Sequence, residues 1–332
     1  MPLSNSTQSD IPFEFFYKLY GISAPVLIII VIIIGSILSV ISIIINYKII
    51  KRMRYYQSYF YLSISASYLI LIIFCLPFVA YQYANNGWIF GNYYCKFVGY
   101  IRAFVFTLVP YLLLALSVYR YLFIVQSEFM LNLELPKFIK KLLVFMAVIA
   151  SIINLANFQV FRINKAISVD ELDYCLIDNQ SMGRLVTAIY FILGFTFPLT
   201  CCFVVQFISI YKMESFRNVI LEREGYDLRK SNCFKNTIIT MILTICFLVM
   251  VGPLVAHLFQ NYFGFFIFGK PWLIYSVFAY VLSYFVVIVH TVIFFFTNNY
   301  FKILCNKVNQ VQYTEMQSNE SYFNMTCESL KL

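Results

Sequence analysis

Seven stretches of this chain stay apolar for longer than any soluble core element needs: Pro25–Ile50, Tyr59–Tyr83, Cys95–Val125, Phe138–Phe161, Leu185–Lys212, Phe234–Tyr262 and Trp272–Thr297. About 20 apolar residues cross a hydrocarbon core about 30 Å thick, and a backbone in lipid must satisfy its polar groups within the segment. Each stretch therefore predicts a membrane-spanning helix. Composition agrees, since 61% of the 332 residues are hydrophobic and 12% charged, too little polar surface to cover a water-soluble globule of this size.

The basic residues set the expected orientation. With the N-terminus outside, 17 of the 24 Lys and Arg fall on the cytosolic side, among them Lys48, Lys51, Arg52, Arg54, Arg120, Lys137, Lys140 and Lys141. The outer side receives Lys18, Lys96, Arg102, Arg162, Lys165, Arg184 and Lys270. This is the asymmetry of a positive-inside protein, so the net charge of +9 calls for no nucleic-acid partner. The leader (Ser4, Asn5, Ser6, Thr7, Asp10, Glu14) lacks the basic start and small-residue cleavage site of a signal peptide, and the first helix is expected to be retained. The sequons at Asn5 and Asn179 fall on the outer side, where they can be glycosylated. The chain is thus expected in the plasma membrane as a multi-pass protein.

No internal repeat stands out, and the inner segment Met213–Cys233 carries both charge signs. It reads either as a solvated connector or as a docking surface for a cytosolic partner. Four of the nine cysteines, Cys75, Cys201, Cys202 and Cys246, sit within apolar stretches, as small buried thiols do. Cys95 and Cys175 instead lie at an outer helix end and in an outer loop, with no other clearly extracellular cysteine to pair with, and they are expected to form a disulfide.

The run Trp88-Ile-Phe-Gly-Asn-Tyr-Tyr-Cys95, followed by Leu116-Ser-Val-Tyr-Arg-Tyr-Leu-Phe-Ile-Val125, resembles the rhodopsin-like family of G-protein-coupled receptors. That family has a Trp turn before the third helix's disulfide cysteine and a Ser-x-Asp-Arg-Tyr motif closing that helix on the inside. Leu76-Pro77-Phe78, Phe195-Thr-Phe-Pro198, Phe247 with Pro253, and His290 to Lys302 fit in register. The resemblance implies an all-α membrane protein, a seven-transmembrane helix bundle with a short cytosolic amphipathic eighth helix. It divides the chain into an extracellular segment 1–23, a receptor domain 24–298 and an amphipathic helix with cytosolic tail 299–332.

The departures from the family's pattern are many. Ser36 and Tyr68 stand for an Asn and a sodium-binding Asp, Val251 for a Trp, Gln206 and Phe294 for two tyrosines, and His290-Thr291 for Asn-Pro. Tyr119 replaces the Asp beside Arg120. Such a pattern resembles a divergent, lineage-expanded receptor of invertebrate chemosensory or peptide type.

The resemblance implies that Arg120, with Tyr119 and Tyr121, meets a heterotrimeric G protein, and that an extracellular ligand enters from outside. Arg102 lies seven residues beyond Cys95, two helical turns on and hence on the same face. A guanidinium there repels an ammonium ligand and can hold a carboxylate, sulfate or phosphate bidentately, which favours a peptide or small anionic ligand over a monoamine. The alternative is an internal ion pair with Asp173 or Asp178. Family geometry gathers Gln82, Phe106, Tyr190, His257, Gln260, Tyr280 and Tyr284 around Arg102. The juxtamembrane Cys305 is of the kind that is palmitoylated, and Ser318, Ser321, Thr326 and Ser329 are candidate phosphorylation sites that could dock an arrestin.

Enzyme motifs, paired intramembrane carboxylates and metal-ligand spacings are missing from the sequence, so no cofactor or metal is expected. The competing classes are a polytopic transporter, which would favour repeated halves and ionisable midplane residues, and a non-signalling seven-helix membrane protein.

Overall fold

The computed structural model describes residues 11–53, 56–85, 87–125, 135–165, 173–177, 181–224, 232–263 and 270–297. The predicted spans fold as seven helices. They are α1 (Ile11–Met53), α2 (Ser58–Phe74, then Leu76–Ala84), α3 (Gly91–Val125), α4 (Leu135–Asn154), α5, α6 (Asn232–Phe263) and α7 (Lys270–Thr297). Helix α5 comprises Ser181–Ile189, a π-helical stretch Tyr190–Thr196 and Phe197–Glu224. Six of the seven contain a run long and apolar enough to cross a membrane, while α4 is only 20 residues long and carries Lys137, Lys140 and Lys141.

Packing follows from which faces avoid lipid. Helix α3 is the axis, with 72% of its apolar window buried against 28% for α1, and it packs on α2, α4, α5 and α6. Helix α1 turns Ile28, Val31, Ser39, Ser42, Asn46 and Ile49 inward and Ile29, Ile33, Ile37 and Ile44 outward, the division expected of a helix with lipid on one side. Helix α7 closes the ring by packing on both α1 and α6.

Local sequence explains the irregularities. Helix α2 breaks at Cys75 because Pro77 has no N–H for the i→i−4 ladder. Gly91, at φ 76°, makes the left-handed turn into α3, and its carbonyl accepts the Trp88 indole N–H at 2.9 Å.

The predicted fourth span ran to Phe161, but α4 ends at Asn154. Asn154 and Asn157 divert the chain there: Asn154 Nδ2 donates to the Ala150 carbonyl at 2.8 Å, and Asn157 Nδ2 donates to Asn154 Oδ1 at 2.9 Å. After one further turn, Asn157–Val160, Phe161 begins β1 (Phe161–Lys165), antiparallel to β2 (Asp173–Ile177) with Ile163 opposite Cys175. This hairpin adds a small β element to the all-α architecture read from the sequence. The expected eighth helix, the tail with Cys305 and its serines, and the sequons at Asn5 and Asn179 lie outside the described residues.

Candidate functional site

Three features of the sequence hold the outer end of α3 in place. Cys95 is fully buried and forms the disulfide with Cys175, tying β2 to α3 across 80 residues. One turn on, Gly99 presents only backbone, and the Phe161 ring fills the space a side chain would take: a Cβ there would come within 2.4 Å of that ring. Almost one turn further, the Arg102 guanidinium carbon stands 5.4 Å from the centroid of the same Phe161 ring and 5.1 Å from that of Tyr280 on α7. The charge is therefore held between two aromatic rings, a cation–π arrangement that keeps it off the bilayer without neutralising it. Replacing Gly99 with Ala must displace Phe161, and overpacking of this kind costs about 1–3 kcal/mol; the thermal midpoint of the purified protein is expected to fall accordingly.

Below Arg102 lies an aromatic floor. The rings of Phe106 and Tyr284 stack at 6.2 Å, and both residues are buried. Tyr190, Tyr280 and Tyr284 all lie within electrostatic reach of the guanidinium. The Tyr284 hydroxyl is fully buried beside the Arg102 guanidinium, which is placed to donate to it, as a buried phenol ordinarily requires. His257 of α6 reaches the cluster through Tyr280, ring to ring at 6.1 Å, and also lies 5.9 Å from the Tyr275 ring.

Seven predicted residues thus divide. Phe106, Tyr190, His257, Tyr280 and Tyr284 assemble around Arg102, whereas Gln82 and Gln260 are half-buried and make no side-chain hydrogen bond among the described residues. Phe161 is not among the residues predicted for the site, because the apolar pattern makes it the last residue of the fourth span. The side chains of Asp173 and Asp178, the alternative partners for Arg102, lie outside the described residues. None of the 15 acidic residues falls in the six apolar spans or in α4, so no helix supplies a carboxylate at this depth.

The inner end has its own cationic centre. Arg120 is 6% exposed, and its Nη2 donates to the Tyr61 hydroxyl of α2 at 3.0 Å, which also accepts from Gln57 Nε2 at 3.0 Å. Nε and Nη1 of Arg120 have no partner among the described residues. Tyr119 is buried against Phe60, with ring centroids 5.6 Å apart, and Tyr121 is half-buried. A tyrosine of α2 thus stands in for the missing acidic neighbour of Arg120.

Two of the positions that depart from the family's pattern pair with each other, and a third bonds to neighbouring helices. Tyr68 of α2 and His290 of α7 are joined at 2.8 Å through His290 Nδ1, and Nε2 of the same ring lies 2.9 Å from the Leu243 carbonyl of α6. The carbonyl can only accept, so Nε2 carries the proton and Nδ1 accepts from the Tyr68 hydroxyl. Gln206 Nε2 of α5 donates towards Ser117 of α3 at 3.0 Å and Thr244 of α6 at 3.0 Å, and lies 3.1 Å from Cys202 Sγ. Both hydroxyls give their own protons to backbone carbonyls, of Leu113 and Thr240, and so act as acceptors towards the amide. Ser36 only bonds the Ile33 carbonyl of its own helix, and the polar contact between α1 and α2 is made instead by Ser42 and Ser65 at 2.7 Å.

The family model described as 7 transmembrane receptor (rhodopsin family) matches residues 37–293, more than half of the chain. The chain belongs to that family. This receptor is therefore a multi-pass membrane protein and a member of a family of signalling receptors, not of enzymes. Its similarity to individual proteins is local. It is 36% identical over 52 residues to G-protein coupled receptor 54 of Oreochromis niloticus, covering 16% of this chain and 14% of that one. It is 38% identical over 69 residues to galanin receptor type 1 of Rattus norvegicus (21% and 20%). It is 34% identical over 65 residues to the N-arachidonyl glycine receptor of Homo sapiens (20% and 20%). The receptor thus spans about a fifth or less of the length of these curated relatives in its matches.

Proposed function

We propose that this receptor resides in the plasma membrane with its N-terminus outside, binds an extracellular ligand through an acidic group at Arg102, and activates a heterotrimeric G protein. The observation that carries the reading is the state of Arg102: a guanidinium clamped between Phe161 and Tyr280, beside the buried Tyr284 hydroxyl, with no acidic residue in the apolar spans to neutralise it. A ligand carboxylate, sulfate or phosphate supplies the missing charge and accepts the Tyr284 proton, whereas an ammonium is repelled. Peptides with an acidic group and small organic anions both fit this chemistry. One relative is named for N-arachidonyl glycine, an N-acyl amino acid, which carries a carboxylate.

On the inner side, two buried donors of Arg120 await acceptors, and a G protein supplies them when the inner ends of the helices part. Ligand and G protein then act through one equilibrium between inner-closed and inner-open populations. Phosphorylated serines of the tail provide the negative charge that recruits an arrestin.

The test is a G-protein activation assay in cells expressing the receptor, Arg102→Gln or Arg120→Ala at matched surface density, with a panel of acidic peptides, N-acyl amino acids and small organic anions. Loss of a charge-assisted contact removes about 1.5–3 kcal/mol, so Arg102→Gln is expected to shift the ligand response by about 10- to 100-fold. Arg120→Ala is expected to abolish it. A ligand whose potency is untouched by Arg102→Gln overturns the anionic site.

A further inference from the structure

Helix α4 is the exception among the seven. Its 20 residues extend about 30 Å, the bare thickness of a hydrocarbon core. Lys137, Lys140 and Lys141 nonetheless occupy its first two turns, which leaves Leu142 to Asn154, about 20 Å, free of charge. The three lysines are exposed. Lys137 and Lys141 continue, at steps of three and four, into Val144 (65% exposed), Val148 and Ile152, one stripe along the helix. The opposite side, with Ile139, Ala150 and Asn154, is buried in the bundle.

The lysines therefore head a lipid-facing stripe. They also crowd the end of α4 where the macrodipole is already positive, with no acidic residue in the first turn. Lys140 is partly fixed there, its Nζ lying 5.8 Å from the centroid of the Tyr59 ring of α2, at the crease where α2 and α4 meet. Lys140 at this depth can lower its energy by bending away to water or by drawing in an anionic headgroup, and the crease holds it against the first.

We infer that Lys140 and Lys141, assisted by Lys137, bind the phosphate of an anionic phospholipid at the α2–α4 crease, with its acyl chains along Val144, Val148 and Ile152. The three ammonium groups and the helix dipole supply the charge, and the apolar stripe supplies the surface for the chains. The site also shortens the membrane that α4 must cross, because a headgroup drawn inward thins the bilayer locally. This inference rests on membrane insertion alone and is independent of ligand and G protein.

The experiment is lipid titration of the full chain followed by native mass spectrometry, comparing phosphatidylcholine with phosphatidylserine, with glycerophosphoserine as the chain-free headgroup. The unmodified receptor is expected to prefer phosphatidylserine over phosphatidylcholine, and K140Q/K141Q to bind phosphatidylserine about 30-fold more weakly. That loss is equivalent to about 2 kcal/mol at 1.4 kcal/mol per decade. K140R/K141R, which keeps the charge, is expected to retain the preference. Should the double glutamine variant not purify folded, K141Q alone is expected to weaken binding about fivefold, equivalent to about 1 kcal/mol. Equal binding of the two lipids, an unchanged preference in the glutamine variant, or glycerophosphoserine binding as tightly as the lipid would each overturn the assignment.

Discussion

Cys95→Ser is expected to lower the stability of the receptor by about 3 kcal/mol, and Cys175→Ser by the same amount. The two cysteines close a loop of 80 residues, for which a random-coil estimate would exceed 4 kcal/mol. Most of that loop consists of α3 and α4, which remain as helices in the membrane whether or not the bridge forms, so the bond restrains chiefly the twenty or so residues between Asn154 and Cys175. A loop of that size corresponds to about 3 kcal/mol. Both single variants remove the same bond, so the double variant should be no less stable than either. The check is thermal unfolding in detergent: equal midpoints for the three variants are expected, and a double variant that loses the sum of the two singles would refute a shared bond. Phe161 leads into the hairpin that this bond tethers, so the Arg102 clamp should loosen in the same variants, and Arg102-dependent ligand binding should weaken with stability.

His290→Ala is the second large effect. The ring is 3% exposed, packs between Tyr68 and Phe247 at centroid distances of 5.8 and 6.0 Å, and uses both nitrogens. Its removal opens a void and strands the Tyr68 hydroxyl, and truncations of buried rings of this kind cost about 3–4 kcal/mol. Tyr68→Phe removes only the hydroxyl and should cost about 1 kcal/mol, because interhelical hydrogen bonds in membrane proteins average about 0.6 and reach about 1.7 kcal/mol. The combined variant should recover that coupling, since no hydroxyl is then left stranded. Additive losses would mean that the 2.8 Å contact contributes nothing, and the three-helix bridge would then rest on packing alone.

The helices were legible because lipid imposes one rule on every residue of a span, and an apolar run obeys it without help from its neighbours. Interruptions were less legible. The end of α4 depends on two asparagine amides bonding to backbone and to each other, a local competition that hydropathy averages away. Phe161 therefore appeared as a helix residue, although it forms one jaw of the Arg102 clamp. At the candidate site, Arg102 was legible as a charge in an apolar helix, and five of its seven expected companions gather round it. Gln82 and Gln260 are half-buried and make no side-chain hydrogen bond among the described residues, and polarity near a helix end does not say which way the helix turns them.

The departures from the family's pattern were visible one at a time, as a Tyr, a His and a Gln in unexpected places. That Tyr68 answers His290, and Gln206 answers Ser117 and Thr244, needs contacts across 222, 89 and 38 residues of sequence. No single-chain periodicity contains them.

The π-helical stretch of α5 acts on everything beyond it as a change of phase. Tyr190 and Gln206 both face the interior, at 6% and 2% exposure, yet sixteen residues at 100° each would put them about 160° apart on an unbroken α-helix. The inward-facing residues run Tyr190, Phe195, Leu199, Cys202, Gln206, with one step of five where the π turns lie. One residue absorbed there turns the inner half back by about 100°, and the carbonyl of Leu193 finds the hydroxyl of Tyr111 at 3.0 Å. The outer cluster and the inner amide network can thus share a helix that, wound regularly, could serve only one of them.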